Sequence, residues 1–170
     1  MGNVCTGILL VISGISVWMD LKWRRIANPL MGCGWVLGLL FHWMKWGWLG
    51  TFTFLGEAGF PILVWGIFYY FRMIGAGDIK LFSVLGGFLG IYQCALLMLW
   101  SVVLGGVLAA ILMVIRRNFY RRLLYFQCYL MGVICRTGWR PYREGEEKDS
   151  TFHFTIPIFI SLLLLLGGIL

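Results

Sequence analysis

The segment from residue 95 to residue 115, ALLMLWSVVLGGVLAAILMVI, contains no charged side chain. A helix of that length rises about 30 Å, the thickness of the hydrocarbon core of a bilayer. Comparable apolar segments lie at about 4–19, 29–44, 51–71, 79–93 and 154–170. The segment at 79–93 is short, and the break between it and the next is tight. The pattern predicts an all-α integral membrane protein, a six-helix transmembrane bundle forming a single membrane domain over residues 1–170. The composition agrees: the 170-residue chain is 61% hydrophobic and only 12% charged, with a mean hydropathy of +0.87. These values are far from those of a water-soluble globular domain.

The basic residues orient the bundle. Lys22, Arg24 and Arg25 follow the first segment, Arg72 and Lys80 flank the connection after the third, and the run from Arg116 to Lys148 follows the fifth. Lys45 is the exception, in an opposite loop. The positive-inside rule therefore places those three connections in the cytoplasm and both termini outside, in a multi-pass protein of the cytoplasmic (inner) membrane. The same asymmetry explains the net charge of +7, because basic loops face anionic headgroups. Membrane lipids are thus expected partners, and no aromatic and basic pattern marks a nucleic-acid platform. Trp43, Trp46 and Trp48 around one loop fit an interfacial belt. Residues 116–153 read as a cytoplasmic or interfacial loop, its first part mixing arginines with apolar residues.

The five cysteines, Cys5, Cys33, Cys94, Cys128 and Cys135, form no CxxC pair, and His42 and His153 stand far apart. No metal and no cofactor is expected from such spacing. The cysteines read as small apolar packing residues, and a Cys128–Cys135 disulfide is disfavoured in a segment assigned to the reducing cytoplasm.

Four of the seven acids, Glu144, Glu146, Glu147 and Asp149, fall in the long loop; Asp20, Glu57 and Asp78 remain. Acids in or beside membrane spans are functional candidates, weighed against simpler roles. Asp78 follows Gly75-Ala76-Gly77 and can serve as a cap or first-turn acid facing the helix dipole. Asp20 closes the first span, where the dipole offers an acid nothing, and its simpler role is as a partner for Arg24. Under the expected topology both lie on one side at similar depth, so packing the first and fourth helices together brings the carboxylates face to face. Two such groups share one proton, one serving as base and the other as acid, which is the chemistry of an aspartic peptidase. Gly75 and Gly77 then shape an opening for a substrate strand, or form a plain turn. Lys80 either tunes Asp78 and orients substrate or snorkels to the headgroups. Glu57 lies toward the opposite side, at least about half a bilayer away along the third helix.

These residues carry a family resemblance. GAGDIKL at 75–81 resembles the GxGDxKL motif of the type IV prepilin peptidases, and DLKWRRIAN at 20–28 resembles their first-aspartate motif. That motif usually ends in Ile-Pro-Asn; here Ala27 replaces the proline and Pro29 follows Asn28, which fits Asn28 as N-cap and Pro29 as first helical residue. The resemblance covers the layout from about Val4 to Ile115, and more loosely the Thr155-Ile156-Pro157 entry to the last span. It implies a short form of these membrane aspartic peptidases, cleaving basic leader peptides from type IV pilin-like precursors at the cytoplasmic face. Asp20 and Asp78 would be catalytic, with Gly75, Gly77 and Lys80 binding substrate or shaping the site. It implies service to a pilus or protein-secretion pathway. The methyltransferase activity of larger members, which carry an extra domain with paired CxxC motifs, is not expected. Presenilin-type proteases share only the Gly-x-Gly-Asp element. The competing readings are a small transporter or substrate-binding subunit using the same acids, and a catalytically inactive assembly component.

Overall fold

The computed structural model describes residues 3–71, 74–115 and 153–168. Their regular structure is entirely helical: α1 (Asn3–Trp23), α2 (Asn28–Tyr70), α3 (Ala76–Leu89), α4 (Ile91–Ile115) and α5 (Thr155–Leu166). Three of these, α1, α2 and α4, are long and apolar enough to cross a membrane. The expectations for Arg72, for the 116–152 connection and for Cys128 and Cys135 lie outside the described residues. Tertiary contacts divide the chain into Met1–Leu104 with His153–Leu170, and Gly105–Phe152. The described part of the second unit is the apolar end of α4.

The 43 residues of α2 would extend about 65 Å as a straight rod, twice the thickness of the hydrocarbon. The helix does not run straight, because Gly47 interrupts it at φ 57° and ψ −137°, a conformation that favours glycine. Past this break the backbone turns back so closely that a β-carbon on Gly50 would strike the His42 carbonyl. The two arms, 28–46 and 48–70, form a hairpin and correspond to the second and third apolar segments of the sequence.

Phe54 locks that hairpin. It is fully buried, with its ring edge-on to Trp35 at 5.8 Å, tilted against His42 at 5.4 Å and edge-on to Phe88 of α3 at 6.5 Å. Gly38 of the first arm and Gly87 of α3 both abut this ring so closely that a β-carbon on either would collide with it. Ser83 of α3 ties on the second arm, its hydroxyl donating to the Ala58 carbonyl at 2.8 Å.

α3 is apolar on every side and buried from Leu81 to Leu89, as befits a central helix. It ends at Gly90, whose φ is 83°, and α4 begins one residue later. The sequence pattern puts this interruption between the segments 79–93 and 95–115, about four residues further on. The backbone breaks instead at the glycine that can adopt a positive φ. α1 turns Leu9, Ile12, Ser13 and Ser16 inward. The two serines satisfy their hydroxyls on the carbonyls of Leu9 and Ile12, both at 2.7 Å. Val11, Ile15 and Trp18 face outward. α5 packs along α1, with Phe159 reaching Gly14.

A methyl group on Gly38 has no room beside Phe54, whereas Gly56 on the outer side of the second arm faces open space. Gly38→Ala is therefore expected to destabilise the protein by about 1–3 kcal/mol. Gly56→Ala should be neutral or stabilising by up to about 1 kcal/mol. Thermal unfolding of both variants in one detergent checks the contrast.

Candidate active site

Asp20 stands in the last turn of α1. Its backbone carbonyl accepts from the Arg24 amide at 2.8 Å, at the point where Arg24 takes a positive φ of 53° and the helix stops. The side chain is half-buried. Its Oδ2 accepts a 2.7 Å hydrogen bond from Thr155 Oγ1, a fully buried hydroxyl on the first residue of α5. This partner is not legible in the sequence, because the two residues are 135 positions apart and no local spacing couples them. The one signal was a hydroxyl residue at the entry to the last apolar segment.

Asp78 is the third residue of α3, behind the extended Gly75. Its Oδ2 lies 3.3 Å from where a β-carbon on Gly75 would stand, so the carboxylate folds back over the start of its own helix. It is a first-turn acid, and Gly75 itself occupies the cap position. Gly77 faces Ile26, whose side chain would be 3.3 Å from a β-carbon there. The space left by Gly77 thus seats the α1–α2 connection against the head of α3, rather than leaving that side open to a strand.

The two acids feel one another. Burial, and then the negative charge of Asp20, push the Asp78 carboxyl up to about 7. Asp78 lies outside the three long apolar helices, ahead of the apolar run beginning at Ile79. Below about pH 7 a proton is therefore held on Asp78, while Asp20 receives the Thr155 hydrogen bond. A water molecule meeting these groups would face both a proton acceptor and a proton donor.

Lys80 reaches across to α2. Its Nζ donates to Asn28 Oδ1 at 2.8 Å, tying the start of α2 to the head of α3. The same bond changes the reading of Asn28, which is the first residue of α2 rather than its cap. Ala27 holds the cap position and supplies no side-chain bond. The side-chain oxygen expected to cap the helix is used by Lys80 instead.

Glu57 lies apart from the aspartates, in the hairpin, with Oε2 3.6 Å from His42 Nε2. The other ring nitrogen of His42 is 3.1 Å from the Gly38 carbonyl. A carbonyl only accepts, so Nδ1 carries a proton and Nε2 is the atom turned to Glu57. His42 is thus a partner within the hairpin. Cys5 and Cys94 are buried thiols and Cys33 an exposed one. Among the described residues no three His, Cys, Asp or Glu side chains gather as a metal site.

The raised Asp78 carboxyl has a consequence for stability. Unfolded, the group ionises near its model value of 3.8; folded, it stays neutral to about 7. Unfolding therefore releases a proton between these limits, and stability falls as pH rises through that window. Asp78→Asn lacks the penalty. Its melting temperature minus that of the parent should grow from pH 4 to pH 8, read by thermal unfolding across a pH series.

No curated protein and no solved structure matches the chain. A family model does, that of the type IV leader peptidase family, over residues 7–111. The match runs from α1 into α4 and takes in both aspartates, Asn28, the two glycines and Lys80, while Thr155 falls beyond it. With more than half of its 170 residues inside that match, the chain belongs to the type IV leader peptidase family.

Proposed function

We propose that the chain is a membrane aspartic endopeptidase that removes the basic leader from type IV pilin-like precursors at the cytoplasmic face of the membrane. The observation that carries this reading is the placement of Asp20 at the end of α1 and Asp78 in the first turn of α3, where burial and then the charge of Asp20 raise the Asp78 carboxyl. The order of the helices supports it. If the two arms of α2 count separately and α3 and α5 cross as shorter helices, six spans result. The basic residues Lys22, Arg24, Arg25 and Lys80 then share the aspartates' side. Glu57 is engaged by His42, which weakens the reading of the three acids as one transport path.

In the proposed reaction Asp20 enters as the carboxylate, held as an acceptor by Thr155, and Asp78 enters protonated. Asp20 takes a proton from water as its oxygen attacks the scissile carbonyl, and Asp78 gives its proton to the carbonyl oxygen. The resulting gem-diol collapses: the proton on Asp20 passes to the leaving amine, the C–N bond breaks, and a hydroxyl proton returns to Asp78. The site returns to its starting protonation and no other reactant is consumed.

Co-expression with an epitope-tagged precursor carrying a basic leader tests the reading, with the mobility shift on a gel as readout. The parent is expected to process the precursor, and Asp20→Asn and Asp78→Asn each to lower the rate by ~10³-fold or more. Processing that persists in either variant, inserted and folded like the parent, removes the pair from catalysis. Because Asp78 must hold its proton, the parental rate should fall as pH rises above about 7, approaching about tenfold per pH unit. A rate profile in vesicles measures that limb.

A further inference from the structure

On the face of α3 turned away from Asp78, helical spacing aligns Ala76, Lys80 and Ser83. With both arms of α2 these residues bound a groove of about 530 Å³. The groove has a direction. Lys80, Asn28 and Tyr69 stand at the end shared with the heads of α2 and α3, whereas Trp35 and Ile62 lie deeper. From Asn28 to Trp35, and from Tyr69 back to Ile62, each arm descends seven residues, about 10 Å.

Two features indicate what fits. The mouth carries a cation: Lys80 is exposed, gives one N–H to the neutral Asn28 oxygen, and has no carboxylate partner in an ion pair among the described residues. Below it the walls are apolar, and the wall is thinned at Gly32 and Gly66, where a β-carbon would meet nothing within 4 Å. A peptide helix is about 10 Å wide, and an extended peptide would leave its backbone N–H and C=O groups without partners along such walls. A single hydrocarbon chain is narrower and needs no hydrogen-bonding partners from the apolar walls.

We propose that this groove binds an anionic phospholipid, with one acyl chain lying between the arms of α2 and the phosphate against Lys80 Nζ. An ammonium at the surface attracts an anionic headgroup, and the apolar shaft beneath it takes the chain. Lys80 retains N–H donors for phosphate while it holds Asn28, so the lipid joins the tether between α2 and α3 without displacing it. The site lies on the opposite face of α3 from Asp78. It requires only that the protein be in a membrane, whatever peptide it cleaves.

Native mass spectrometry of the purified protein, titrated with phosphatidylglycerol or phosphatidylcholine of identical chains, reads binding without any cleavage. The parent is expected to hold one phosphatidylglycerol about fivefold more tightly than phosphatidylcholine. Lys80→Gln should erase that preference while leaving phosphatidylcholine binding as it was. Gly66→Leu and Gly32→Leu, which put a side chain into the groove from opposite arms, should lose both lipids at parental helix content. Equal binding of the two lipids by the parent overturns the proposal, and this comparison needs no variant to fold. Undiminished phosphatidylglycerol binding in a folded Gly66→Leu overturns it as well.

Discussion

Phe54 has no position other than the one cleared for it by Gly38 and Gly87. Its ring meets the first arm of α2 at Trp35 and His42, and meets α3 at Phe88. One side chain thus fixes the distance between the arms of a hairpin and the distance of that hairpin from the central helix. In a bilayer little hydrophobic force draws helices together, and close approach through small residues with an interlocking side chain takes its place. The break at Gly47 makes the hairpin, and the lock at Phe54 decides how it closes.

The placement of the aspartates follows from that framework. Once α3 is held by Phe54 and by the Ser83–Ala58 bond, its first turn sits beside the end of α1. Ile26 against Gly77 and Lys80 on Asn28 fasten the intervening chain. Asp20 and Asp78 arrive from opposite kinds of helix end, one from a last turn and one from a first. Neither is therefore left to satisfy a helix terminus alone. The α2 hairpin holds a second polar pair, His42 with Glu57, 3.6 Å apart.

Much of this was legible in the sequence where the signal was local. Long uncharged runs reported the membrane helices, and two short motifs singled out the aspartates. The break at Gly90 is not marked by the hydrophobic pattern, because a positive φ at a glycine decides it. The pairs Thr155–Asp20, Lys80–Asn28 and His42–Glu57 escaped for a common reason: each joins elements whose spacing in the chain says nothing about their spacing in the fold. Asn28 shows the limit well. A rule about helix starts gave its side chain a cap, and a lysine 52 positions later took it.

The hydrogen bond from Thr155 to Asp20 also sets an order of events. A growing chain presents both aspartates to the membrane long before α5 is made, since Thr155 comes 135 residues after Asp20. Until that helix packs along α1, the Asp20 carboxylate lacks its buried hydroxyl donor. A nascent chain therefore carries both acids without this arrangement until α5 has followed them.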